Sequence, residues 1–190
     1  ARYNEYDGPV NNWAREMGTP GSLQYPFTLD TNLNPTHERE TFGARFEIGA
    51  EFNNFDFKSI TSYTDTESDR HTDVDLTQLW FFNTFRPETM EVFTQEFRFS
   101  SNSDGPLQWV GGLYLMDFEE TMNSYLDFGW IILEADDPSV HAEVPFETRR
   151  EEKGNLAAFG NVTYEVGAWE WGLGLRIDRW ESDEEAVDIG

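Results

Sequence analysis

Cysteine is absent from the 190 residues, so neither a disulfide nor a thiolate metal centre can carry structure or chemistry here. Basic residues are scarce: 13 Lys and Arg stand against 37 Asp and Glu, a net charge of −24. That balance excludes nucleic acid as a partner, because counterion release at phosphates requires an excess of Lys and Arg. Long apolar runs are missing too, and no stretch approaches the roughly 20 residues of a transmembrane helix. Helical insertion is excluded, but a β-barrel is not, since its lipid-facing residues alternate with polar lumen-facing ones and each segment averages out as mild. Neither end carries a signal peptide, targeting tail or lipidation signal. The chain reads as a piece of something larger, with Ala1 inside a strand and Gly190 inside an acidic loop. Histidine is limited to His37, His71 and His141, and no Gly-x-Ser-x-Gly or phosphate-binding Gly-rich loop occurs. Neither an enzyme nor a cofactor is expected.

What is present is aromatic residues, at 16%, and 15 glycines. The alternation is clearest where Phe42, Ala44, Phe46, Ile48, Ala50 and Phe52 interleave with Thr41, Gly43, Arg45, Glu47, Gly49 and Glu51. This is the period of a strand. Asn53-Asn54 tolerate positive φ and predict a two-residue hairpin turn, which makes Phe52 and Phe55 partners and sets Ile48 by Ser59, Phe46 by Thr61 and Ala44 by Tyr63. In that register the apolar face of one strand continues onto the more apolar face of the next.

A second hairpin turns at Gly167-Ala168. Leu156, Ala158, Gly160, Val162, Tyr164 and Val166 precede it, Trp169, Trp171, Leu173, Leu175 and Ile177 follow it, and Tyr164 is predicted to meet Trp171. The opposite faces are polar, as a water-filled or plugged lumen requires. Aromatics at the turn end suit an interfacial girdle. A third hairpin lies between, around Asn102-Ser103-Asp104-Gly105, with its register open: a four-residue loop pairs Phe99 with Gln108, a five-residue loop pairs it with Trp109.

Tight turns at Asn53, Ser103 and Gly167 alternate with long connections at roughly residues 8–38, 68–89 and 123–147. One edge of the sheet is then plain and the other elaborate, the asymmetry of an outer-membrane barrel with short periplasmic turns and long extracellular loops. Strands of about a dozen residues exceed the usual globular length of about 5–6 and match the roughly 9–11 that cross an outer membrane. The expected fold is an all-β, antiparallel transmembrane barrel wall, a curved meander occupying residues 1–190.

Several segments resemble TonB-dependent outer-membrane receptors. Phe57-Lys58-Ser59-Ile60-Thr61-Ser62-Tyr63 is similar to the family's "lxSITgY" strand, and Thr94-Gln95-Glu96-Phe97-Arg98-Phe99-Ser100-Ser101 to its "TQElRlaS" segment. Trp109-Val110-Gly111-Gly112-Leu113-Tyr114 resembles "WvaGlYy", Ala158-Phe159-Gly160-Asn161-Val162-Thr163-Tyr164 resembles "aFgqvtY", and Gly174-Leu175-Arg176-Ile177 resembles "aGlRyt". Order and spacing, over about three-quarters of the chain, carry the likeness rather than any single motif. The resemblance implies a barrel of about 22 strands, of which this chain holds about seven, around an N-terminal plug energised through a TonB box. Plug, TonB box and closing C-terminal strand are absent from the sequence. The resemblance further implies the bacterial outer membrane, import of an iron-siderophore complex or another scarce nutrient, and lipid, lipopolysaccharide, plug and TonB as partners.

Individual residues carry two readings each. His71, Asp73 and Asp75 alternate as metal ligands on an extended segment would, with Asp65, Glu67 and Asp69 nearby, yet the calcium-loop pattern is missing and a solvated acidic loop is the favoured alternative. Trp80, Phe81, Phe82 and Phe85, and then Tyr125, Phe128 and Trp130, either stack on a ligand at the barrel mouth or form small loop cores. Asp127, Glu134, Asp136, Asp137, Asp183, Glu184 and Glu185 are solvated, or bridge lipopolysaccharide phosphates through divalent cations, or favour neutral and cationic substrates over strongly anionic ones. Arg45, Glu47, Glu96, Arg98, Arg176 and Asp178 line the lumen face, against a plug or paired within the wall. The Asn161-Val162-Thr163 sequon is incidental in a strand of this kind.

Two rivals share parts of this pattern. A passive porin-like channel has the same wall, and a soluble all-β carbohydrate-binding module has the same aromatics. The soluble module buries its apolar faces in a protein core, whereas the barrel turns Phe42, Phe46, Phe52, Phe57, Trp171, Leu173 and Leu175 towards lipid.

Overall fold

The computed structural model describes residues 31–75 and 77–188. They form one antiparallel meander sheet whose strand order follows the chain: β1 (Thr36–Glu51), β2 (Phe55–Asp73), β3 (Phe82–Ser101), β4 (Leu107–Gly129), β5 (His141–Val166) and β6 (Trp169–Asp188). Six of the roughly seven expected strands are therefore in view, and the one expected at Ala1 lies outside the described residues. The sheet is open, with β1 and β6 at its edges.

Registers at the first and last hairpins follow the alternation. Phe46 pairs with Thr61 and Ala44 with Tyr63 across β1 and β2, and Tyr164 pairs with Trp171 and Val166 with Trp169 across β5 and β6. Gly167 takes φ +62°, which a glycine adopts without steric cost at the first corner of a II′-type turn. Asn53 and Asn54, by contrast, do not use the positive φ expected of them. Asn102 of the neighbouring turn supports this hairpin instead, its Nδ2 donating to Phe52 O at 2.7 Å and to Asp56 Oδ1 at 2.8 Å.

The middle hairpin adopts neither register expected for it: Phe99 pairs with Gly111. Side chains near the turn account for the longer loop. Ser101 Oγ donates to Gln108 Oε1 at 2.7 Å and accepts from Trp109 N at 2.9 Å, and Gln108 Nε2 donates to Ser103 O and Gly105 O. Gln108 thus satisfies carbonyls that a tighter turn would have paired through the backbone.

The strands also run further than expected, 16 residues in β1 and 26 in β5. Positions 68–73, 82–89, 123–129 and 141–147, expected in loops, continue the ladders, and Asp183 to Glu185 lie within β6. The true connections are 74–81 and 130–140. Their polarity suggested loops, but a strand polar on both faces needs no apolar stripe once its ladder is already in register.

Side chains divide by parity into an apolar and a polar face. Large apolar groups stand out on the first, with Phe42 64%, Trp171 67% and Leu173 78% exposed. On the second, Ala157 is 1% exposed and Thr66, Ser68, Ser124 and Asn155 are buried. Burial is inverted relative to a soluble sandwich, as follows when the sheet curls around its polar face. Gly112 makes room on that concave side: a Cβ there would sit 2.2 Å from Phe97 O and 2.7 Å from the Phe159 ring.

Candidate functional site

The apolar face forms a band with a sharp upper limit. On β1 it runs from Phe52 beside the turn to Phe42, and Glu40 and Glu38 follow at the next same-face positions. On β2 it runs from Phe55 to Tyr63, interrupted by Ser59 and Thr61, which hydrogen-bond with Gln95 of β3, and gives way to Asp65, Glu67 and Asp69; on β6 it runs from Trp169 to Ile177 and gives way to Arg179, Glu181 and Asp183. Ten residue steps on β1 span about 34 Å along the strand, or about 25 Å in height at a barrel strand's usual tilt. That is the height of an outer-membrane barrel's apolar belt. The seven residues singled out for this face all lie on it. Phe57 is the least exposed of them, its ring centred 5.0 Å from Phe99 and 6.3 Å from Phe97.

The concave face is polar, and several of its charges are paired. Arg45 pairs with Glu47 at 2.9 Å, Lys58 with Glu47 at 3.2 Å, Arg98 with Glu96 at 2.6 Å and Arg176 with Asp178 at 2.8 Å. Three of these pairs join residues two apart on one strand, which alternation places side by side. The Arg176 guanidinium also lies 5.4 Å from the Tyr114 ring centre.

Beyond the band, at the end opposite the tight turns, the expected aromatics separate. Phe85 stacks between His71, 4.4 Å away, and Tyr125, 5.9 Å away, forming a row across β2, β3 and β4 on the apolar-band side. Phe82 has the opposite parity and pairs with Phe128 on the concave side. Trp80 stacks on His141 at 4.9 Å and packs on Gly129, where a Cβ would fall 2.1 Å from Trp80 O. Phe81 O accepts from Gly129 N at 2.8 Å, which fixes the Trp80-Phe81 pair to the end of β4. Trp130 opens a single helical turn closed by Ala135 N to Trp130 O and Glu134 N to Ile131 O, with Glu134 left-handed at φ 53°.

The three candidate metal ligands take separate tasks. His71 stacks on Phe85, and Asp73, fully buried, accepts from Asn32 N at 3.0 Å. Asp75 holds the connection, accepting from Thr77 N and Phe82 N, each at 3.0 Å, and from Thr77 Oγ1 at 2.7 Å. Among the described residues no group of three or more His, Asp or Glu side chains is placed to hold a metal ion. A cavity of about 180 Å³ does form here, lined by Asn32 and Leu33, the His71 and Phe85 rings, Trp80, Asn83, Asp127 and Glu143. Sequence reasoning missed Asn83, Glu143 and His141, which only the extended ladders bring beside Trp80, and Asn32, whose N–H donates to Asp73.

Electrostatics beyond the band are uneven. Desolvation raises the Glu120 carboxyl above the usual carboxylate range, with Glu88 and Glu151 adding repulsion. Asp137 moves the other way, held down by hydrogen bonds from the backbone and side chain of Ser139.

No family model matches this chain, and neither does any curated protein. Among solved structures it is similar to the ferric yersiniabactin uptake receptor FyuA from Yersinia pestis, with a TM-score of 0.63 and 19% identity over 83% of this chain and 23% of that one. The shared fold is an antiparallel β-meander like a stretch of that barrel's wall. The chain spans about a quarter of that receptor's length.

Proposed function

We propose that this chain is part of the wall of a TonB-dependent outer-membrane receptor that imports a scarce nutrient, an iron-siderophore complex being the reading of choice. The observation that carries the proposal is the face division: an apolar band about 25 Å high on the convex side, backed by a polar, ion-paired concave side. A soluble module has no use for an exposed band containing Trp171, Leu173, Leu175 and Ile177. The structural likeness to a ferric siderophore uptake receptor and the five family-like segments support the transport reading. In the intact protein a plug fills the concave side and couples to TonB.

The test is uptake of iron-55 supplied on siderophores by a strain expressing the intact parent gene, with and without TonB. TonB-dependent accumulation is the expected result. Uptake that persists without TonB identifies a passive channel, and a protein recovered in the soluble fraction refutes the membrane assignment.

A further inference from the structure

Cations in this acidic chain are matched almost throughout. Eleven of the 13 Lys and Arg lie in the described residues, and eight of them hold a carboxylate at 3.2 Å or closer. The three described cations that form no ion pair are Arg39, Arg70 and Arg86. With 37 Asp and Glu in the sequence, three unmatched arginines are already unexpected, and these three are neighbours.

The ladders bring them together. Arg70 pairs with Arg86 across β2 and β3, and with His37 across β1 and β2. Arg39 pairs with Ser68, two residues before Arg70 on the same face. Parity sets all of them on the concave side with Thr66 and Ser68, while Glu38 and Asp69 point the other way. Like charges directly opposite each other destabilise a ladder, and an anion shared between the heads of Arg70 and Arg86 reverses that repulsion.

No carboxylate of the wall takes this part. Glu88, two residues from Arg86 on the same face, forms an ion pair with none of the three. Arg86 is half-buried, where a charge without a counter-ion is costly, and its Nε is enclosed with no hydrogen bond. The terminal Nη groups are therefore the end that meets a ligand. The positive field reaches the adjoining imidazole: burial lowers His37 below its usual value, and Arg70 and Arg39 lower it further against an opposing pull from Glu88.

We propose that Arg39, Arg70 and Arg86 form a binding site for a soluble oxyanion of two or more negative charges, carboxylate or phosphate. Planar guanidinium forks match the oxygens of either group in bidentate fashion. The site rests on the reading of the concave face as a lumen. Arg70 lies seven residues beyond Tyr63, the last apolar residue of the band on β2, which is about 24 Å along the strand and about 17 Å above the band's edge. The headgroup layer of a leaflet is only about 5–8 Å deep. A solute entering the lumen from outside reaches these arginines, and lipid phosphates, lower and on the far side of the wall, do not.

The test is calorimetric titration of the intact parent protein in detergent, at low salt, with tricarballylate and with its uncharged triamide. The expected result is saturable binding of tricarballylate alone, about tenfold or more weaker in Arg70→Gln and in Arg86→Gln and unchanged in Arg179→Gln, whose guanidinium sits on the convex face beside Glu181. Arg70 is exposed, so its replacement leaves the ladder intact, and near-ultraviolet circular dichroism of that variant should match the parent. Equal binding of the triamide, or equal weakening in Arg179→Gln, overturns the site. So does the absence of saturable binding, as when a carboxylate elsewhere in the parent protein already holds the arginines. Because the readout is binding, uptake that persists without TonB would remove the transport reading and leave this site standing.

Discussion

Leu173 sits midway along the apolar run of β6, four residues from Trp169 at the turn and four from Ile177 at the band's upper edge, with its side chain 78% exposed on the convex face. If that face meets lipid, Leu173 is near the bilayer midplane, where an arginine costs about 2–4 kcal/mol. Ile177 is four steps higher, about 13 Å along the strand and about 10 Å in height, so arginine there approaches the interfacial cost of about 0–1 kcal/mol. Glu181, a further four steps on and already acidic, should accept arginine at no cost. Urea unfolding of the intact barrel from phospholipid vesicles reads all three, and the expected order is Leu173→Arg, then Ile177→Arg, then Glu181→Arg. Equal effects at Leu173 and Glu181 would mean that the band faces water. A loss above about 4 kcal/mol at both Leu173 and Ile177 would mean that it packs in a protein core. Either result refutes the face assignment.

Further outcomes follow from the region above the band. Glu120→Gln should stabilise the barrel at neutral pH: its folded carboxyl titrates above the unfolded value, so stability is lost as pH rises through that window, and the glutamine variant should flatten this part of the pH profile of unfolding. Asp75→Ala should cost about 1–2 kcal/mol by removing acceptors from Thr77 N and Phe82 N, and amide exchange at those two positions should accelerate while Leu113 is unaffected. Gly129→Val should expel Trp80 from its seat on His141 at a cost of about 1–3 kcal/mol, seen as a red shift in tryptophan emission. Asp137, with its folded carboxyl depressed by Ser139, should titrate below the usual carboxylate range in a carbon-13 NMR series, and Ser139→Ala should raise its midpoint.

The band was legible in the sequence because burial against one medium writes a period of two, and a slip of one residue would turn every side chain over. Phe42 to Phe52 and Trp169 to Ile177 announce their face without any knowledge of their neighbours. The middle hairpin was not legible, since Ser101 and Gln108 set its length through side-chain hydrogen bonds that no alternation records. The strand extensions were hidden for a related reason. Above the band both faces are polar, so Asp65, Glu67 and Asp69 read as a loop although β2 continues through them to Asp73. Trp80, Phe85 and Tyr125 stood out as aromatics, but their division from Phe82 depends on a parity counted back to the band. Asn83 gives no signal at all in the sequence, because an asparagine is remarkable only once its oxygen is seen to be buried and unanswered.

Three ion pairs on the concave face join residues of a single strand: Arg45 with Glu47, Arg98 with Glu96, Arg176 with Asp178. Those six side chains need no counter-ion from anything held against that face. An object seated there could be loosened, rotated or drawn out without stranding them, because each of the three arginines keeps an anion 2.6 to 2.9 Å away on its own strand. At those positions the face would act less like a socket than like a bearing, offering hydration and local dipoles but no fixed electrostatic latch.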